Sequence, residues 1–294
     1  LVRSRGLGDV YKRQNKNEIS DLGLLPADFG CLGERVGYYG NSLGDHFGVG
    51  HIFLAGEAPG LFYGYVTQGI VQKEDITENG IKYIKQDGSV GYYQTVNKTT
   101  PVAGDVKYVD RNGDGVVDDN DRDIIGNPNP DFTYGFQTKV SWKSLSLSAS
   151  FNGVQGRDIL NVGNRYNNTP GTKSNNVTRK AFQNMWTDEN PSNLYPKSTF
   201  VVQNMVMDRY VEDGSYLRCS DITLSYVLPA KWTNKIGIKN TSVYASVKNA
   251  FVITDYSGYD PEVNSFAFDG LRPGVDMNSY PTPRSFVFGL NLTF

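Results

Sequence analysis

Five stretches of the chain alternate apolar and polar residues with a period of two. In the first, Phe132, Tyr134, Phe136, Val140 and Trp142 alternate with Thr133, Gly135, Gln137, Lys139 and Ser141, and Thr138 is the one polar break in the apolar series. After only Lys143 and Ser144, the pattern resumes with Leu145, Leu147, Ala149 and Phe151 against Ser146, Ser148, Ser150 and Asn152. Alternation on both sides of a two-residue connection predicts a β-hairpin. The third stretch sets Ile222, Leu224, Tyr226 and Leu228 against Asp221, Thr223, Ser225 and Val227, after an offset at 218–220 that predicts a bulge. The fourth carries Val243, Ala245, Val247 and Phe251, and the last carries Phe286, Phe288, Leu290, Leu292 and Phe294. Weaker signals predict a strand at 35–39, another within 46–54, an aromatic and glycine-rich run at 56–72, and a polar span of turns at 74–100. A short helix is expected within 177–186, with Ala181, Phe182, Met185 and Trp186 on one side and Pro191 beyond its end.

The connections between the five strands decide the architecture. In order they are short (143–144), long (154–213), fairly short (229–240, with room for one helical turn) and long (254–283). An antiparallel meander puts both long ones at the same end. Transmembrane β-barrels have this asymmetry, with brief periplasmic turns and extended extracellular loops, and their strands need only about 9 to 11 residues. Gln137, Lys139, Asp221 and Lys248 would then face a wet lumen, while Trp142 beside the short turn suits an interfacial aromatic belt. A half-buried sheet in a sandwich shares the period but has no reason to maintain the loop asymmetry. Five to seven strands cannot enclose a lumen that needs at least about eight, so the expectation is an all-β chain forming part of a larger barrel.

Composition fits this reading. Gly, Tyr, Phe, Asn, Ser and Thr are abundant among the 294 residues, and the net charge of -2 leaves no basic stripe for nucleic acid. No run of about 20 apolar residues predicts a transmembrane helix, which leaves barrel strands open. Cys31 and Cys219 lie far apart in an unremarkable setting and read as two small apolar residues. His46 and His51, five apart, form no ligand pair. No Ser/His/Asp set, paired catalytic carboxylates or phosphate loop stands out, so the chain is not expected to be an enzyme. Residues 1–14 carry Arg3, Arg5, Lys12 and Arg13 without alternation, resemble a translated adapter, and are set apart from the fold at 15–294. Leu1 begins no signal peptide, and the expectation is a missing N-terminus.

One motif carries chemistry. Asp110, Asn112, Asp114, Gly115, Val116, Asp118 and Asp121 occupy positions 1, 3, 5, 6, 7, 9 and 12 of a D-x-N-x-D-G calcium loop. Calcium takes about 6 to 8 hard oxygen ligands, and alternate side chains on a tight loop can converge while Gly115 permits the turn and Val116 offers its carbonyl. The flanks are not those of an EF-hand, because 106–109 looks extended and Gly126, Asn127, Pro128 and Pro130 prevent a long exiting helix. Asp121 replaces the usual bidentate Glu, which predicts a weak, structural Ca2+ site of roughly 0.1 to 1 mM. The alternative is a surface loop whose Asp and Asn side chains bond their own backbone.

Residues 104–156, above all 110–114, 125–130 and 134–136, resemble the C-terminal barrel of SusC/RagA-type TonB-dependent outer-membrane transporters. So do 60–72, 214–229, 249–260 and the terminal Phe294. The resemblance implies a complete barrel of about 22 strands closed by an N-terminal plug. It also implies residence in the outer membrane of a Gram-negative bacterium and import of oligosaccharides or peptides. A SusD-like surface lipoprotein would act as lid, with energy from the TonB complex. The plug, the TonB-contacting segment and the early strands are missing from this sequence, so gated transport is not expected of it alone. The terminal aromatic resembles the signal read by the barrel assembly machinery, and Asp110, Asn112, Asp114, Val116, Asp118 and Asp121 match the family's loop. Trp186, Tyr195, Tyr256 and Tyr259 are loop aromatics able to stack on cargo or to pack within the loops. A secreted, calcium-stabilised β-sandwich that binds carbohydrate is the competing reading.

Overall fold

A computed structural model describes residues 10–14, 17–20, 22, 29–32, 35–44, 47–169, 176–198, 205–233, 238 and 240–293. Its main element is a six-stranded antiparallel wall: β1 (Val10–Gln14), β2 (Phe132–Trp142), β3 (Leu145–Gln155), β4 (Tyr216–Val227), β5 (Asn240–Thr254) and β6 (Ser285–Thr293). Neighbours in the wall follow chain order. The five strands expected from alternation are 11, 11, 12, 15 and 9 residues long, enough for a tilted crossing of a bilayer. Lys143 turns the first hairpin in the left-handed region at φ 53°, as a two-residue turn requires. The predicted bulge is present: Ser150 faces Asp221 while Phe151 faces Cys219, which leaves Ser220 over.

Register decides what each face shows. Val140, Leu147, Leu224, Ala245 and Phe288 form one cross-strand row, and Trp142, Leu145, Tyr226, Val243 and Leu290 form another. These rows are left open, with Trp142 60% and Phe288 79% exposed. A sandwich would bury this face against a second sheet; an uncovered apolar surface of this extent marks a face built to meet a partner or lipid. Rows such as Lys139, Ser148, Thr223 and Ser246 occupy the opposite face, where Asp221 pairs with Lys248 at 2.8 Å and accepts from Ser246 and Thr223. In two places a tyrosine lies across the glycine it pairs with, Tyr134 over Gly153 and Tyr244 over Gly289. A Cβ at either glycine would come within 2.3 Å of the ring.

Residues 156–215 and 255–284 leave the same end of the wall, as the loop lengths predict, and the turn at 143–144 and the connection with its short helix Ala230–Thr233 leave the other. The described residues of the long connections and of 29–131 build a second body. Its largest sheet runs Asp123–Gly126, Leu61–Gly64, His51–Leu54, Arg35–Tyr39, Phe29–Leu32. Asp158–Asn161 pairs with Val211–Asp213 and, in parallel, with Val275–Asp276, which joins the two long connections. Tyr65, Tyr83, Tyr93 and Tyr108 are buried in one core with Phe62, Val117 and Met207. Their phenols are partnered: Tyr83 donates to the Asp110 carbonyl (2.6 Å), Tyr65 donates to Asp119 (3.0 Å), and Tyr93 accepts from the Tyr108 amide (3.1 Å).

Some expectations need revision. Residues 74–100 are not simply turns: Ile76–Thr77, Gly80–Ile84 and Val90–Tyr93 form a small sheet that sinks Tyr83 and Tyr93 into the core. Strands this short leave too few alternations to stand out from polar neighbours. The predicted helix is confined to Arg179–Asn184, capped by Thr178, and Met185 is already extended. Its apolar side is therefore split, with Ala181 and Trp186 buried and Phe182 exposed. The sequence pattern sets 1–14 apart, yet Val10–Gln14 pairs as β1 with β2, whose unpaired edge amides and carbonyls accept an extended peptide. Cys219 is a buried free thiol. His46 and Phe294 lie outside the described residues.

Candidate functional site

The acidic loop sits in β surroundings, entered from Val106–Tyr108 and left through Asp123–Gly126. Gly113 and Gly115 both take left-handed conformations, at φ 76° and 87°, so the turn assigned to Gly115 is shared by two glycines. Asp110 accepts the amides of Gly113 (2.6 Å) and Gly115 (2.9 Å) on its two oxygens. Asp121 accepts from Arg111 (2.7 Å), Asn112 (3.3 Å) and Asp118 (2.8 Å). Asn112 accepts from the Asp114 amide, Asp114 from Val116, and Asp118 from Asn120. All the predicted ligands thus share one compact loop, in which the side-chain oxygens of Asp110, Asn112, Asp114, Asp118 and Asp121 accept its amides, three of them as Asx turns. Among the described residues, no three His, Cys, Asp or Glu side chains form a group able to hold a metal ion. The donor set of carboxylates, one amide and a carbonyl is chemically that of a hard cation. Asp110 and Asp121 are buried together, and burial, with a smaller push from Asp110, raises the Asp121 carboxyl despite the amides that lower it. An open cleft of about 520 Å³ flanks the loop, lined by Gln68, Lys85, Asp87, Arg111 and Asp123 among others.

A second feature ties the long connections to the wall. Arg218, buried at the loop end of β4, pairs with Asp260 and places Nε 2.8 Å from Glu262. Glu262 also accepts from the Tyr216 hydroxyl (2.6 Å) and the Asn152 amide (3.1 Å), and Asp260 accepts the backbone amides of Glu262 and Thr282. Sequence reasoning missed this clamp. Its only local trace is a lone arginine at the bulge, and its partners lie about 40 residues away in a stretch without periodicity.

The four loop aromatics separate into two kinds. Trp186 is buried and donates to Gln72 (3.0 Å), and Tyr256 is buried and donates to Asp276 (2.6 Å), so both pack. Tyr195 is half-buried and Tyr259 is 72% exposed. These two border adjoining clefts along the helix Val162–Asn168, which presents Asn164 and Asn168 to both. One cleft, of about 210 Å³, also carries Lys180 and Arg209; the other, of about 220 Å³, carries Thr178 and Asn278.

No family model matches the chain. TonB-dependent receptor P26 of Formosa agariphila is 30% identical over 289 residues, covering 95% of this chain and 26% of the relative. TonB-dependent receptor P3 of the same organism is 33% identical over 248 residues, 83% of this chain and 23% of its own length. TonB-dependent receptor SusC of Bacteroides thetaiotaomicron is 34% identical over 194 residues, 64% and 17% respectively. Among solved structures, the RagAB peptide transporter matches with TM-score 0.58 and 25% identity over 83% of this chain and 24% of its own. The open-open state of the RagAB peptide importer shares the fold with TM-score 0.61 at 24% identity, over all of this chain and 27% of its own. The chain therefore spans about a quarter of the length of these relatives or less.

Proposed function

The chain belongs to the SusC-type TonB-dependent transporters, and from that membership we propose that it forms wall strands and outer loops of an outer-membrane barrel that imports oligosaccharides or peptides with TonB-derived energy. The observation that carries the proposal is the wall itself, with uncovered apolar rows on one face, Asp221, Lys248 and hydroxyls on the other, and both long connections at one end. In this reading the apolar rows contact lipid and the tyrosine-cored body forms part of the outer surface, where a SusD-like lipoprotein would seat as lid. TonB would act through segments outside this quarter. The full-length protein is expected to need detergent for solubility and to migrate on gels as a compact, heat-modifiable band. A folded monomer that stays soluble in water alone would defeat the proposal.

Calcium is a second part of the proposal. The loop's full series of oxygen donors and the burial of two carboxylates side by side favour a cation that braces the approach to Phe132. The role is structural support of the outer surface. Calorimetry on the chelator-treated full-length protein is expected to give one weak site, in the range of roughly 0.1 to 1 mM, that Asp114→Ala removes. No heat of binding at millimolar calcium would leave the loop held by its Asx turns alone.

A further inference from the structure

The two clefts along Val162–Asn168 have features of a ligand subsite that neither the transport reading nor the relatives' names assign. Asn161, Asn164 and Asn168 lie three and four residues apart, so they share one side of the helix. Each amide is positioned. Asn161 caps the helix through its oxygen, and Asn161 and Asn164 both donate to Glu212 at 3.0 Å. Asn168 accepts from the Thr178 hydroxyl (2.6 Å), and Asn167 donates to Asn278 of the other long connection (3.2 Å). A primary amide has two N–H donors and two acceptor lone pairs, so these contacts orient the side chains without exhausting them. Pre-oriented groups that both donate and accept suit hydroxyls, which do the same.

Charge divides the two clefts. Lys180 and Arg209 line one, and no acidic residue is among the described residues that line it. The acid in the other, Asp276, is buried and already accepts from the Tyr256 hydroxyl and the Ser279 amide. Apolar lining is limited: among the described residues Leu194 and Pro196 are the aliphatic side chains, which favours a polar cargo over the apolar side chains of a peptide. Tyr195 and Tyr259 flank the clefts with ring faces that can lie against a sugar.

We propose that these joined clefts bind an acidic oligosaccharide, with uncharged rings on the asparagine amides and a carboxylate or sulfate against Lys180 and Arg209. The inference rests on the transporter reading, which turns these two connections outward, and it deepens that reading by naming the charge class of the cargo. The test uses the full-length protein in detergent and three probes of equal length: a galacturonic acid tetramer, the neutral galactose tetramer and a tetraglutamate peptide. The uronate is expected to bind about tenfold more tightly than the neutral sugar, with a preference that shrinks as salt rises. Lys180→Gln with Arg209→Gln should erase the preference, and Tyr259→Ala, an exposed position, should weaken both sugars. Lys180→Gln alone, also exposed, serves if the double variant loses its heat-modifiable migration. Equal binding of the two sugars, an undiminished preference in the charge-neutral variant, or a glutamate peptide that binds as tightly as the uronate overturns the subsite. If wild-type protein migrates as a folded barrel and any of these occurs, the subsite fails alone. If it shows no heat-modifiable band, the transporter reading fails with it.

Discussion

Arg218→Ala is expected to cost about 3–5 kcal/mol and to free the 255–284 connection from the wall, because it removes one partner of a buried ionic cluster. Asp260 is 7% exposed and Arg218 5%, so the carboxylate left behind cannot be rescued by water without opening the junction. Asp260 would keep the Thr282 and Glu262 amides, and Glu262 the Tyr216 hydroxyl, but Asp260 would lose its paired cation. Lysine is a poor substitute, since the guanidinium meets Asp260 and Glu262 through different nitrogens and an ammonium offers one point charge. Replacing Arg218 by Met together with Asp260→Asn and Glu262→Gln should recover much of the loss, because the uncompensated charges go with their partner. Thermal melting and limited proteolysis of the full-length protein in detergent read the effect. Cleavage should appear within 255–284 in the alanine variant and fade in the triple variant. An unchanged melting point and digestion pattern in Arg218→Ala would show that the cluster is decorative.

Alkaline pH is expected to dismantle the loop body as its buried tyrosines ionise. Burial first, then the charges of Asp110 and Asp121, pushes the Tyr83 hydroxyl up from the ordinary 10 to about 12. Burial raises Tyr65, Tyr93 and Tyr108 further, and Asp119 adds to the effect on Tyr65. The sign follows directly. A group whose folded pKa exceeds its unfolded value stabilises the fold fully below the unfolded pKa, here pH 10, and loses that contribution as pH rises through the folded value. Between pH 10 and 12 each such tyrosine would be ionised in the unfolded chain and neutral in the folded one, a loss of about 1.4 kcal/mol per pH unit per residue. The absorbance of ionised tyrosine and the circular dichroism of the body should therefore change together in one step. Free titration of these phenols near pH 10 with structure intact would contradict their burial. Tyr83→Phe should move the step modestly, keeping the packing while giving up the bond to the Asp110 carbonyl.

The wall was largely legible because its signal is local. Alternation at 132–142 and 145–151 is visible without knowing what lies across the sheet, and the offset at 218–220 marked its bulge. The body was not legible for the opposite reason. Tyr83 is buried because Tyr93, Tyr108 and Asp110 meet it, and the five-residue strand that carries it is too short for its alternation to stand out. The acidic loop lies between these cases: its spacing announced a cluster of oxygens, whereas the hydrogen bonds that occupy Asp110 and Asp121 depend on where Gly113, Gly115 and Arg111 place their amides. Among the aromatics, the sequence could name Trp186, Tyr195, Tyr256 and Tyr259 as a set. Which of them stays exposed depends on partners such as Gln72 and Asp276, 114 and 20 residues away.

The two tyrosine and glycine pairs of the wall bear on how it assembles. A sheet with lipid on one side and water on the other has little interior to penalise misalignment, and a slip of two residues keeps every side chain on its proper face. Shape can supply the missing penalty. Sliding β3 by two residues against β2 would bring Phe151 or Gln155 under the ring of Tyr134 in place of Gly153. The corresponding slip of β6 on β5 would set Val287 or Asn291 beneath Tyr244 in place of Gly289. Each pair thus works as a notch and key that favours the observed register over a two-residue slip.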